Sequence, residues 1–210
     1  MTMYLLIRHA ATNMAGRALA GRMLGGHLNR VGKDQAKLLA RQLRTAPITA
    51  IYCSPLERAQ ETAETLANEI NRPITVLPDL TEIEFGKWTG HSFRELLSDK
   101  RWKNYNSFRS VIRSPDGEMM LEVQTRVVAL LEKLRIVHPD EMIAAISHAD
   151  VIKAAIAHYA GIPLDLFHRI EISPASVNIV EVSDYGPKIF RLNGTGDLSG
   201  ILWPNNNSTK

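Results

Sequence analysis

The chain has one cysteine, Cys53, in 210 residues. It cannot form an internal disulfide, which excludes a disulfide-stapled scaffold and agrees with a reducing compartment. No apolar stretch approaches the roughly 20 residues of a bilayer span, and the N-terminus lacks a basic region followed by a long apolar one. No membrane-spanning helix is expected, and the cytoplasm is the expected location. The net charge of +3 is too small to argue for nucleic acid as a partner. The histidines show no metal-ligand spacing such as H-x-x-x-H with a partner carboxylate, so no metal is expected. There is no internal repeat and no linker long enough to divide the chain. The expectation is one domain over 1–210, with a segment of about 86–115 inserted into it and a polar, asparagine-rich tail, Trp203–Lys210, read as disordered.

Hydrophobic residues make up 45% and charged residues 22%, as in a soluble globular protein. The charge is unevenly placed. Between Gly86 and Arg113 stand seven basic side chains (Lys87, Arg94, Lys100, Arg101, Lys103, Arg109, Arg113) against Glu95 and Asp99. Such a basic cap either draws in an anionic substrate or is a solvated helical face.

Apolar runs and helical periods alternate along the chain. Strands are expected at Met3–Arg8, Ala50–Cys53, Ile74–Leu77 and Met142–Ser147. Asn29 is the expected cap of a helix bearing Ala36, Leu39, Ala40 and Leu43 on one face. Pro55 suits the first turn of the next helix. A long helix is expected over Gly117–Val137, another over His148–Ala160 ending at Gly161, and a hairpin within Arg169–Asn193 around Tyr185-Gly186-Pro187. The exposed edge of that hairpin offers a surface for pairing with a second copy. The alternation implies an α/β fold with a mainly parallel sheet and helices on both faces. In such folds the site lies beyond the C-terminal ends of the strands.

Three motifs fall on that edge. Arg8-His9 follows the first strand, Ser54-Pro55-Leu56-Glu57-Arg58 the second, and Ser147-His148 the fourth. An Arg or His at a strand end is more often an ordinary structural residue than a catalytic one. The weight comes from three independent placements on one edge. A phosphate monoester carries about two negative charges, which repel a nucleophile until they are neutralised. Arg8 and Arg58 offer planar forks for phosphate oxygens, and His148 adds a further donor. Two nearby guanidiniums disfavour protonation of His9 and leave it a lone pair for in-line attack, giving a phosphohistidine that water hydrolyses. Glu82, in Leu80-Thr81-Glu82-Ile83-Glu84-Phe85-Gly86, is the expected proton donor to the leaving alkoxide, with Glu84 as its competitor. The stripe Phe85, Trp88, Phe93 reads as packing for the inserted segment.

Leu6-Ile7-Arg8-His9, Leu28–Ala36, Ser54–Ala63, Leu80–Gly90 and Ser147–Ile152 together resemble the histidine phosphatase superfamily, also called phosphoglycerate mutase-like, over about Met3–Val182. The resemblance implies a three-layer α/β/α sandwich with a mainly parallel central sheet and a small helical insertion. It also implies a phosphohistidine at His9, a phosphate pocket of Arg8, Arg58 and His148, Glu82 as proton donor, and no metal or other cofactor. This chain departs from the family at Ala10 and Ala149, where glycine is usual, and at Ala11, where glutamate is common. The family's Trp-Asn is missing, and Asn13 is the candidate replacement. Arg17 and Arg22, in the glycine-rich loop Gly16–His27, are candidate contacts to whatever lies beyond the phosphate.

The Glu-Ile-x-Phe-Gly-x-Trp-x-Gly pattern at Glu82–Gly90 resembles the phosphatase branches. The expectation is a phosphoric monoester hydrolase of the histidine acid type acting on a small phosphorylated substrate. A cofactor-dependent phosphoglycerate mutase and a non-catalytic phosphate-binding module are the alternatives.

Overall fold

The structure, a computed structural model, describes residues 1–196, so the expected tail Trp203–Lys210 lies outside the described residues. Strand β1 (Thr2–Arg8) leads to helix α1 (Arg30–Leu43), β2 (Ile48–Cys53), α2 (Glu57–Ile70) and β3 (Ile74–Val76). A 3₁₀ turn (Gly86–Trp88) and the short helices α3 (Phe93–Ser98) and α4 (Lys100–Ser107) occupy the expected insertion. Helix α5 (Met120–Val137), β4 (Met142–Ser147), α6 (Ala149–Tyr159), β5 (Val177–Ser183) and β6 (Gly186–Gly194) complete the order. The strands form one sheet in the order β3-β2-β4-β1-β5-β6. Strands β1 to β4 are mutually parallel; β5 runs antiparallel to β1, and β6 antiparallel to β5. The fold is therefore α/β with a mainly parallel sheet. No helix among the described residues is long and apolar enough to cross a membrane.

The three layers follow from strand alternation. Met3, Leu5 and Ile7 of β1, with Met142, Ala144 and Ile146 of β4, pack against Leu39, Ala40 and Leu43 of α1 and Ala59, Ala63 and Leu66 of α2. Their neighbours Tyr4, Leu6, Ile143 and Ala145 face the other way, onto Val123, Val127, Leu130 and Leu131 of α5 and Val151, Ala154 and Ala155 of α6. Register then places the site. Arg8 pairs with Ser147, so His9 and His148 leave adjacent strands at the same level. Cys53 pairs with Ile146, which brings Ser54 level with Ser147.

Asn29 caps α1, its side chain accepting from the Gly32 N–H at 2.8 Å. Elsewhere element ends differ from expectation for local reasons. Helix α5 begins at Met120 because Ser114–Gly117 form a turn, with Asp116 at φ 58° and Gly117 against the Glu84 carbonyl. Helix α6 begins at Ala149, with His148 as its extended N-cap. Leu56 caps α2, so Pro55 precedes the cap instead of standing in the first turn. The hairpin strands begin at Val177, since Leu164–Arg169 is 3₁₀ helix and the stretch after it folds back beneath β1, where Ala175 N–H donates to the Arg8 carbonyl. The expected pairing edge, β6, is an outer strand with Phe190 and Leu192 exposed.

Gly32 is a tight point of this scaffold. A Cβ there would lie 2.0 Å from the Ala11 carbonyl oxygen, two residues after His9. Gly32→Ala is expected to destabilise the protein by roughly 1–3 kcal/mol through this overpacking. The midpoint of urea denaturation reads the loss, and an unshifted midpoint would show that the loop yields freely.

Candidate active site

The end of β1 delivers Arg8 and His9 to the C-terminal edge of the sheet. His9 is buried, and its Nδ1 donates to its neighbour's carbonyl, Ala10 O, at 2.8 Å. That bond fixes the tautomer and leaves Nε2 with the lone pair. Burial, then the Arg58 and Arg8 guanidiniums, pull the His9 pKa down to about 3, so the ring is neutral at ordinary pH. Ala10 is fully buried against Leu28 and Ala36, and its N–H donates to Thr62 Oγ1, so its methyl group has a place in the packing.

His148 lies beside it, with ring centroids 5.1 Å apart. Its Nε2 meets Ser54 Oγ at 2.7 Å, while Nδ1 is buried without a partner. Ser54 is itself fixed at the end of β2, its N–H donating to Ile146 O. Burial first, then His9 and the arginines, hold the His148 pKa well below the usual imidazole value. In the tautomer in which Ser54 O–H donates to Nε2, the neutral ring carries its proton on Nδ1, 4.0 Å from Glu82 Oε2.

Arg8 donates through Nη1 to Ile172 O at 2.6 Å, and Arg58 through Nη2 to Gly21 O at 2.7 Å. Arg8 Nε and Arg58 Nη1 are buried with no acceptor. These two buried guanidinium donors lack a partner, and His148 Nδ1, also without one, lies behind them as a third donor in the tautomer that carries its proton there. Each such group costs about 1–3 kcal/mol unless something accepts from it. A tetrahedral anion offers several acceptor oxygens at once.

Glu82 sits in the loop after the 3₁₀ turn Pro78–Leu80. Its Oε1 accepts from the Ile83 N–H at 2.9 Å, and Oε2 lies 4.0 Å from His148 Nδ1. Burial, then the charge of Asp150, raise its pKa to about 7 against the opposing Ile83 N–H, Arg58 and Arg8. Glu84 does not line the cleft; its carboxylate accepts from the Gly86 N–H.

The cleft, about 160 Å3, is lined by Arg8, His9, Thr12, Arg58, Glu82 and Asp150 and by small or apolar residues from Met14 to Gly21, with Phe85, Phe93 and Ala149. The structure thus brings together Arg8, His9, Arg58, Glu82 and His148. Asn13 and Arg17 are exposed and do not line the cleft. Arg22 is turned to the protein: Nε donates to Glu82 O at 2.8 Å and Nη2 to Glu118 Oε2 at 2.8 Å. The basic cap is partly neutralised, since Lys87, Arg101, Arg109 and Arg113 each pair with a carboxylate. Trp88 packs edge-on against Trp102 at 5.2 Å inside the insertion, whereas Phe85 and Phe93 reach the cleft. No group of three or more metal-ligating side chains occurs among the described residues.

Sequence reasoning missed three groups. Asp150 lines the cleft two residues after His148. Arg126 donates to Asp79 O and Thr81 O and, at 3.3 Å, to Glu82 O, pinning the loop that bears Glu82. Glu118 accepts from Arg22 and from the Glu84 N–H at 2.9 Å. An acidic residue in the first turn after Ser-His was the available signal for Asp150. The two others act across long sequence separations that no local spacing reports.

A model of the histidine phosphatase superfamily (branch 1) matches residues 4–195. Phosphoserine phosphatase 1 of Hydrogenobacter thermophilus is 30% identical over 206 residues, covering 94% of this chain and 95% of its own. The adenosylcobalamin/alpha-ribazole phosphatase of Escherichia coli is 26% identical, covering 85% of this chain and 89% of its own. Among solved structures, the phosphoserine phosphatase of Entamoeba histolytica in complex with 3-phosphoglyceric acid superposes with a TM-score of 0.85 at 26% identity, covering 94% of this chain and 100% of that one. Fold, site and these likenesses agree: the chain belongs to the histidine phosphatase superfamily, branch 1.

Proposed function

We propose that the protein is a phosphomonoesterase that works through a phosphohistidine on His9. The observation that carries this reading is the pair of buried guanidinium donors without acceptors, Arg8 Nε and Arg58 Nη1, with the unpartnered His148 Nδ1, beside a histidine whose remaining ring nitrogen keeps a lone pair. The names of its relatives support phosphatase activity.

In the first step Nε2 of His9 attacks phosphorus in line with the ester bond. The P–N bond forms as the P–O bond to the alcohol breaks, and the proton of the Glu82 carboxyl passes to the leaving oxygen. The growing charge on the phosphoryl oxygens falls to Arg8, Arg58 and His148. The Ala10 carbonyl, already bonded to Nδ1–H, stabilises the positive charge that the ring acquires. In the second step water attacks phosphorus and gives its proton to the Glu82 carboxylate. The P–N bond breaks with its electron pair returning to Nε2. Phosphate leaves, and both groups are restored.

Three outcomes follow. Brief mixing with a ³²P-labelled monoester should leave acid-labile label on the wild-type chain and none on His9→Ala, with release of phosphate reduced about a thousandfold or more. An active His9→Ala, or label elsewhere, would overturn the covalent route. The kcat/KM for alkyl phosphates should fall as pH rises through about 7, where Glu82 loses its proton. On the acid side the enzyme itself adds a fall only as pH approaches about 3, where His9 gains a proton, beyond the loss of the substrate dianion below about pH 6 that wild type and variants share. Glu82→Gln should be slow and lack the alkaline fall; a fall that persists would assign it to another group. Finally, Arg126→Met should lower turnover of alkyl phosphates on the order of a hundredfold through misplacement of Glu82. It should spare p-nitrophenyl phosphate, whose leaving group needs no proton. Equal losses on both would make Arg126 merely structural.

A further inference from the structure

Beyond the phosphate pocket, the cleft has one further charged side chain among its lining residues apart from Glu82. That side chain is Asp150, in the first turn of α6. We propose that Asp150, with the rings of Phe85 and Phe93, forms a subsite for a cationic group on the alcohol portion of the substrate, so that the preferred substrates are phosphate monoesters of small amino alcohols. The proposal rests on the phosphomonoesterase reading above and adds the substrate class.

Asp150 is held in place from behind. Its Oδ2 accepts from Arg109 Nη1 at 3.3 Å, and Oδ1 has no hydrogen-bond partner among the described residues. Arg109 is only 3% exposed and does not line the cleft. Its guanidinium lies 4.2 Å from the Tyr105 ring centre and 4.8 Å from that of Phe167, and it also donates to Tyr105 Oη and Asn106 Oδ1. Arg109 is thus shared among several acceptors, and the carboxylate it steadies, one-fifth exposed, keeps an oxygen for a ligand in the cleft.

The rest of the outer wall suits the same occupant. Met14, Ala15, Ala18, Leu19 and Ala20 offer contact surface without charge. Phe85 and Phe93 line the cleft, and an ammonium held near an aromatic ring is attracted by its quadrupole. Arg8 and Arg58, the cations that line the cleft, are committed to the phosphoryl oxygens. A carboxylate on the alcohol would meet Asp150 as a like charge, whereas an ammonium would meet an acceptor in a partly desolvated wall. The small volume limits the alcohol to a few heavy atoms inside the cleft.

The test compares near-isosteric esters in the full-length protein: 2-aminoethyl phosphate, propyl phosphate and phosphoglycolate, with p-nitrophenyl phosphate as the probe of basal chemistry. In the wild type, kcat/KM for 2-aminoethyl phosphate should exceed that for propyl phosphate by about tenfold. Phosphoglycolate should be the poorest of the three. In Asp150→Asn the ratio of aminoethyl to propyl ester should fall below half its wild-type value. Because the ratio is taken within each enzyme, a loss common to both esters cancels. Should the variant fold poorly, the wild type still decides: its ratio should shrink as salt is raised from about 0.02 to about 0.5 M, as screening of an ion pair requires. A ratio at or below one, a salt-independent ratio, or a folded Asp150→Asn that keeps half the ratio or more would overturn the subsite. Failure of the wild type to release phosphate from any ester, p-nitrophenyl phosphate included, would overturn the phosphomonoesterase reading instead.

Discussion

Everything at this site depends on two guanidiniums being held beside a histidine that must stay neutral. Arg8 and Arg58 are each partly desolvated, and each spends one terminal nitrogen on a backbone carbonyl, of Ile172 and Gly21 respectively. Those two bonds orient the forks but do not neutralise them. Burial opposes a proton on His9 most, and the surviving positive potential of Arg58 and Arg8 opposes it further. One electrostatic arrangement therefore serves two ends. It attracts a dianion, and it preserves the lone pair that would attack that dianion.

The same arrangement would strip the proton from a carboxyl placed among the cations. Glu82 escapes because its burial and the nearby charge of Asp150 outweigh Arg58 and Arg8. The two titrating groups are thus pushed in opposite directions within one small cleft, the imidazole toward its free base and the carboxyl toward its acid form. In the proposed reaction that divergence sorts acid from nucleophile. Asp150 lines the same cleft, and Arg109 steadies it from inside the helical insertion. The insertion, whose basic surface suggests capture of anions, is connected to the chemistry through a buried guanidinium instead of an exposed one.

The fold and the inner site were legible in the sequence because both are written in local pattern. Apolar runs ending in Arg8-His9 and Ser147-His148 announce strands that stop at a polar edge, and the parallel register then sets the two histidines side by side. Element ends were less legible where a turn interrupts a periodic stretch, as Ser114–Gly117 does before α5. The outer site was not legible. Arg22 looked like a substrate contact because it lies in a glycine-rich loop on the substrate side, yet it reaches back to Glu82 O, 60 residues away. Which way a long side chain turns depends on acceptors that only the folded chain supplies. Asp150 is illegible for a related reason: its neighbours Glu82 and Arg109 stand far from it in the chain, and no spacing relates them to it.

These contacts reveal a division of labour between strand ends and loops. His9, Ser54 and His148 leave central strands whose side chains are packed on both faces, so their positions are inherited from the core. Glu82 has no such inheritance, because its loop follows the short strand β3 at the sheet's edge. A proton donor must nonetheless be placed as accurately as the nucleophile it assists. The loop is instead pinned through its carbonyls, with Arg126 spanning Asp79, Thr81 and Glu82, Arg22 adding a second donor to Glu82, and Ser147 Oγ donating to Leu80 O at 2.7 Å. Glu118 balances the two guanidiniums and takes the Glu84 N–H. Since Ser147 immediately precedes His148, its bond to Leu80 ties the acid's loop to the strand that carries the second histidine. The proposed proton donor is thereby referred to the same rigid sheet as the two histidines.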